Sequence, residues 1–284
     1  MGKNSSIEWT HHTFNPWWGC VKVSPGCKHC YAETFSRRLG IGLWGARADR
    51  RYFGDAHWKE PVRWNADALA SRERRRVFCA SMSDVFEPRS DLEPWRRRLW
   101  TLIDATPGLD WLLLTKRPDQ IASKVPWGCR WPDNVWLGTT AENQLWANRR
   151  LPVLIEHQAA VRFVSCEPLL GRVDLSAWLS GHRRRRGVDW VIVGGESGHK
   201  ARPMHPEWAT DIRDQCASAG VPFHFKQWGQ WRPDSDAIPC GRRRVHVHDS
   251  RRDSIALVRV GKHAAGRDLD GRTWDEFPHE FRAS

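Results

Sequence analysis

Three cysteines, Cys20, Cys27 and Cys30, stand at C-x6-C-x2-C within the run FNPWWGCVKVSPGCKHCYAETFSRRL. Thiolates are soft ligands that suit zinc and iron–sulfur clusters. Gly19 and Gly26 precede the first two thiols and Pro25 lies between them. A backbone of this kind can approach a compact inorganic centre closely, because glycine has no Cβ to collide with it. The number of thiols carries the chemistry. A closed structural zinc takes four protein ligands, and an ordinary four-iron cluster takes four cysteines. Three leave one metal position open to a small molecule. Zinc stays open as an alternative if His29, His11 or His12 supplies a fourth ligand, and so does a plain role as buried thiols. The other five cysteines, Cys79, Cys129, Cys166, Cys216 and Cys240, are scattered.

These residues need a scaffold. Short apolar runs rich in β-branched and aromatic residues recur at 76–81, 110–115, 134–139, 161–166, 189–194 and 222–227. Such runs predict buried strands, with a first one over 6–15. Between them, 91–106 places Leu92, Trp95, Leu99, Leu102 and Ile103 on one helical face, and 140–157 and 206–219 read as further helices. The alternation predicts an α/β fold with a parallel sheet: a full or partial (β/α) barrel, or else a doubly wound open sheet. Either architecture gathers working groups at the C-terminal strand ends. Polar residues cluster there: Ser81, Ser83 and Asp84; Thr115, Lys116 and Arg117; Thr139, Thr140, Glu142 and Asn143; Cys166 and Glu167; Gly194, Gly195, Glu196 and Ser197; Lys226, Gln227 and Trp228. Each could instead cap a helix. Six clusters in succession predict a pocket rim.

The chain has 284 residues and a net charge of +12. Residues 1–230 are expected to form the barrel. Residues 231–284 are expected to form an irregular extension, in which 257–260 and 272–274 read as the arms of a hairpin. No run of 18 apolar residues suggests a membrane span, and the N-terminus lacks an apolar signal core, so a cytoplasmic protein with no membrane partner is expected. The positive charge fits a polyanion, and Arg72–Arg76, Arg96–Arg98, Arg183–Arg186 and Arg242–Arg244 are expected on surface helices or loops. It also fits biased codon usage, since 36 Arg stand against 9 Lys. Of 19 tryptophans, Trp17, Trp18, Trp228 and Trp231 lie near arginines and could stack on bases, although core packing is the ordinary role of this side chain.

The run NPWWGC…GCKHCYAE resembles the radical S-adenosylmethionine superfamily, and in particular its spore-photoproduct-lyase-like branch. ASMSDVFE, LLLTKRP, VWLGTTAEN, VSCEPLLG, VIVGGESG, HFKQWG and GRDLDGRTWDEFP extend the likeness to a phage- and prophage-encoded three-cysteine family. The superfamily's usual spacing is C-x3-C-x2-C, so this loop is three residues longer. The resemblance implies a radical-S-adenosylmethionine-type barrel whose Cys20, Cys27 and Cys30 hold a 4Fe-4S cluster, with S-adenosyl-L-methionine as second cofactor and a reductant protein as electron donor. By position it implies that Ser81, Ser83 and Asp84 meet the methionine amino group, Thr139, Thr140, Glu142 and Asn143 the ribose or carboxylate, and Gly194, Gly195 and Glu196 the adenine. Cys166 is a candidate hydrogen-donating thiol. The expected activity is radical modification or repair of a nucleic acid base or nucleotide. Two alternatives are a zinc- or cluster-stabilised nucleic-acid-binding protein without catalysis, and a radical enzyme acting on a small molecule or peptide.

Overall fold

The computed structural model describes residues 2–179, 186–234, 241–248 and 254–278. Cys240 and the arginines at 183–185 lie outside the described residues.

The fold is α/β. Seven strands, β1 (His12–Thr13), β2 (Arg75–Cys79), β3 (Leu109–Thr115), β4 (Val135–Thr140), β5 (Val161–Cys166), β6 (Trp190–Gly194) and β7 (Phe223–Gln227), follow one another in sheet order as they do in sequence. That order, with helices between the strands, is a partial (β/α) barrel of the expected type. The helices are α1 (Tyr31–Arg38), α2 (Asp55–Trp58), α3 (Glu60–Ser71), α4 (Glu93–Asp104), α5 (Ile121–Lys124), α6 (Gln144–Leu154), α7 (Pro206–Ala219) and α8 (Lys262–Ala265). No helix among the described residues is long and apolar enough to cross a membrane.

The chain divides into two compact units. The first comprises Met1–Thr139 and Glu156–Arg162. In it β1, β2, β3 and β4 pair in parallel, with Thr13 opposite Phe78, Val77 opposite Trp111 and Leu113 opposite Leu137. β3 is buried along almost its whole length, as its unbroken apolar run requires of a strand covered on both faces. β1 is much shorter than the 6–15 expected, because the chain on both sides of it turns to make loop contacts. Leu92 at the start of α4 and Leu99, Leu102 and Ile103 within it face inward as expected, while Trp95 is only half-buried. Arg96 faces inward too, which corrects its expected surface position. Its guanidinium donates to the carbonyls of Val85 and Glu87, both at 2.8 Å, and pairs with Glu93 at 2.7 Å. Those partners make burial of the charge tolerable.

The second unit comprises Thr140–Ile155 and Phe163–Ser284. Here β5, β6 and β7 pair in parallel, and α7 opens on His205, whose ring accepts the Glu207 amide, and closes on Gly220 in the left-handed region. Beyond β7 the chain forms a three-stranded antiparallel sheet in the order β8 (Trp231–Pro233), β10 (Ser254–Arg259), β9 (Arg244–His248), and then a ribbon of β11 (Asp268–Leu269) and β12 (Arg272–Thr273). The expected hairpin between 257–260 and 272–274 is not what forms. Leu257 and Val258 sit in the central strand β10 and pair with both β8 and β9, while Arg272 pairs with Leu269. Leu257 and Trp231 share a small core with Ala201, and that burial decides the pairing.

Candidate functional site

The three cysteines follow β1 in the first unit. Asn15 anchors the entry to their loop: its Oδ1 accepts the Met82 amide at 2.7 Å and its Nδ2 donates to Ser81 Oγ at 3.1 Å. The Gly19 amide continues the contact to the Met82 carbonyl at 3.0 Å. Gly19 has φ +112, and a Cβ there would stand 2.6 Å from the Leu43 carbonyl oxygen, so only glycine fits. Arg50 secures the 43–50 segment on the other side. It donates to the carbonyls of Leu43 and Ala48 and pairs in the interior with Glu87 at 2.5 Å. The loop is therefore tied to the segment after β2 before the first thiol is reached.

Each thiol then meets a different environment. Arg117 Nη1 lies 3.7 Å from Cys20 Sγ, and its Nη2 donates to the Val21 carbonyl at 2.7 Å. Burial pushes the Cys20 thiol up to about 12 and Asp84 adds to the rise, while Arg117 opposes it. Cys27 ends a short turn and lies 3.9 Å from Ser24 Oγ. Cys30 precedes α1, whose Glu33 and Ala32 amides point at its sulfur; burial raises this thiol and those amides oppose the rise. Among the described residues no three His, Cys, Asp or Glu side chains are drawn together as metal ligands. A soft-metal group fits by donor chemistry: three sulfurs lie on one short loop, with a guanidinium at one and helix amides at another. Binding would itself draw the ligands in and deprotonate them.

His11 and His12 are engaged elsewhere. His11 Nδ1 accepts the Arg76 amide at 2.9 Å, and His12 Nδ1 accepts the Asn4 amide at 3.3 Å while its ring stacks on Trp64. Burial lowers both rings to about 4, helped by Arg76 at His11 and by Lys3 at His12.

Of the strand-end residues of the first unit, Asp84 and Thr115 hold Arg117. Both oxygens of the Asp84 carboxylate are occupied. Oδ1 accepts Thr115 Oγ1 at 2.7 Å and the Phe86 amide at 3.0 Å; Oδ2 accepts the Lys116 amide and Arg117 Nη1, each at 3.0 Å. That fills the capacity of a carboxylate. Burial lowers the proton affinity of Arg117, but Asp84 and Cys20 more than offset it and hold the group charged. Ser81 joins Asn15 and accepts the Tyr31 hydroxyl on its carbonyl at 2.7 Å. The buried Ser83 Oγ has no hydrogen-bond partner among the described residues. Thr139 donates to the Thr115 carbonyl at 2.9 Å.

The remaining strand-end residues belong to the second unit. Glu142 is fully buried and pairs with Arg150 at 2.8 Å, and Arg150 also reaches Thr140 Oγ1 at 2.9 Å. Asn143 caps α6, its Oδ1 accepting the Trp146 amide at 3.2 Å. Gly195 is crossed by the chain itself, since a Cβ there would stand 2.0 Å from the Trp228 carbonyl oxygen. Gly194 lies against Glu167. Glu196 is clamped by Arg202 at 2.6 and 2.9 Å. Cys166 is fully buried, and burial raises its thiol, with Glu142 adding to the rise.

Sequence reasoning places Arg117 on the expected pocket rim without a role and leaves out Asn15 and Tyr31. Arg117 stands among the polar residues after β3, but its contact with Cys20 spans 97 positions and no local pattern announces it. Trp17, Trp228 and Trp231 are buried, so three of the four tryptophans considered for base stacking are core residues.

Residues 4–278 match the family described as protein of unknown function (DUF5131). The chain belongs to this family. No curated protein matches it. Among solved structures, this member resembles two variants of spore photoproduct lyase, with TM-scores of 0.45 and 0.42 at 12% and 11% identity, over 92% of this chain and 71% of each of theirs.

Proposed function

We propose that this protein is an iron–sulfur-dependent radical S-adenosylmethionine enzyme, and that Cys20, Cys27 and Cys30 hold its cluster. The observation that supports this best is the donor set itself: three thiols on one pinned loop after the first strand of a partial (β/α) barrel, with the imidazole Nδ1 atoms of His11 and His12 already used. The chemistry such a cluster supplies when bound is one-electron reductive cleavage of S-adenosylmethionine, with a cytoplasmic reductant protein as electron source.

The chain's own residues position and screen this centre. Arg117 sets a positive charge beside the Cys20 sulfur, favouring the thiolate that a metal requires. Asp84 is a positioning residue, holding Arg117 in place while its oxygens stay saturated by Thr115 and backbone amides. Gly19 and Asn15 fix the approach of the loop. Ser83, with its unpartnered buried hydroxyl, is the first-unit residue best suited to a polar ligand group. In this reading the substrate is a nucleic acid base or nucleotide, in keeping with the net charge of +12.

The test is metal content after anaerobic purification and reconstitution. About four irons and four sulfides per chain are expected, the content of a cubane cluster. Substituting Cys20, Cys27 or Cys30 by Ala should abolish the broad visible absorbance, and substituting Cys129 should not. A colourless protein holding one tight zinc would overturn the proposal and favour a zinc-stabilised binding protein.

A further inference from the structure

The second unit contains a cleft of about 410 Å³ that no residue of the cysteine loop lines. One wall is the 199–203 segment; the other is formed by Trp231 of β8, Arg243, Val245 and His246 of the β9 region, and Arg259 of β10. Four of its ten lining residues are Lys or Arg (Lys200, Arg202, Arg243 and Arg259), two are His, and none is acidic.

The four cations play two roles. Arg202 and Arg259 build the walls. Arg202 is clamped to Glu196, and Arg259 donates to the carbonyls of Gly198 at 3.3 Å and His199 at 2.5 Å, fixing the 198–202 turn against β10. Trp231 Nε1 donates to the Ala201 carbonyl at 2.8 Å and locks the floor. Lys200 and Arg243, by contrast, are exposed and make no ion pair with a carboxylate among the described residues; Arg243 lies over the Trp231 ring at 5.8 Å. A rigid concave wall bearing uncompensated positive charge favours an anion.

We propose that this cleft binds the phosphate backbone of single-stranded nucleic acid. Its size falls within the range of pockets that take small ligands. A positively charged groove that tracks the backbone is how single strands are commonly held, and a flexible strand can follow a concavity into which a stiff duplex does not bend. Its two unengaged cations, Lys200 and Arg243, come from separate segments, which suits successive phosphates along a strand better than one free phosphate. The proposal rests on the reading above for the class of substrate, but not for the cluster, and it is tested without any turnover.

The experiment is fluorescence anisotropy of the full chain with a labelled single strand of about 15 nucleotides, from about 50 to about 200 mM salt. The comparison is with the double variant Lys200→Ser/Arg243→Ser and with Arg47→Ser/Arg130→Ser, which removes the same charge from exposed positions of the first unit. Two lost phosphate contacts at about 0.7 each should flatten the slope of log K against log salt by roughly 1.4 and weaken binding at least about tenfold at the low end. The charge-matched control should bind as the parent does. Circular dichroism reports whether each variant is folded. Three results would overturn the proposal: no binding by the parent at low salt, equal weakening in both variants, or displacement by duplex or by free nucleotide as effective as displacement by single strand. S-adenosylmethionine cleavage by the double variant separates the two readings, since loss of strand binding with cleavage retained concerns the cleft alone.

Discussion

The guanidinium of Arg117 bridges the carboxylate of Asp84, at 3.0 Å, and the sulfur of Cys20, at 3.7 Å. All three groups are wholly or half buried, so the pair connects the end of β3 and the segment after β2 to the first thiol of the loop. Removing either charge leaves the other in a poor solvent.

Arg117→Met should therefore cost about 3–5 kcal/mol of unfolding free energy, the usual effect of breaking a buried pair. Urea denaturation should show a lower midpoint with an unchanged slope. Arg117→Lys should lose less, because it keeps the charge and forfeits the second hydrogen bond to Val21. A loss below about 1 kcal/mol for the Met variant would mean that the pair is as weak as a surface one.

Two glycines of the chain should respond in opposite ways to Ala. At Gly195 a Cβ meets the Trp228 carbonyl oxygen at 2.0 Å, and backbone cannot yield as a side chain can. Gly195→Ala should cost at least about 3 kcal/mol, at or beyond the upper end of ordinary overpacking. At Gly42 nothing lies within 4 Å. Gly42→Ala should stay within about 0.5 kcal/mol. Thermal melts of both variants check the contrast, and a Gly195→Ala protein that melts with the parent would refute the close approach.

Much of this arrangement is legible in sequence and some is not, for physical reasons. The strand at 161–166 and the helix at 206–219 form with the expected bounds, because burial on both faces and a continuous apolar stripe are local signals. The helix expected over 140–157 starts only at Gln144, because Asn143 caps it. Arg96 reads as a surface charge until two carbonyls and Glu93 come to meet it. The pairing of β10 with β8 and β9 depends on which strand buries Leu257. At the candidate site the three cysteines are plain from spacing alone, whereas Arg117, Asn15 and Tyr31 join them only through contacts 50 or more positions long.

Stability should depend on pH through His11 and His12. Both are lowered from 6.5 to about 4, chiefly by burial, so the folded chain keeps them neutral where the unfolded chain protonates them. The unfolded state then binds more protons, and stability is full above about 6.5 and lost as pH falls toward 4. Urea midpoints across that window should fall with pH, and less steeply in His11→Gln, whose amide oxygen can still accept from Arg76. Parallel curves for the two proteins would contradict the assignment.

Cys166 provides a direct test between chemistry and packing. It is fully buried. Cys166→Ala should cost roughly 1 kcal/mol, an ordinary effect of a small core deletion, and should leave S-adenosylmethionine cleavage intact. If cleavage persists but turnover of a nucleic acid substrate disappears, the thiol is a hydrogen donor after all.

The most direct test of the central claim is the fate of S-adenosylmethionine. Reconstituted protein, reduced under strict anaerobiosis, should release 5′-deoxyadenosine and methionine in equal amounts, slowly even without substrate, and the Cys30→Ala protein should release neither. If the parent assembles a full cluster and still yields no 5′-deoxyadenosine under strong reductant, the radical assignment is wrong and the three cysteines hold a structural centre.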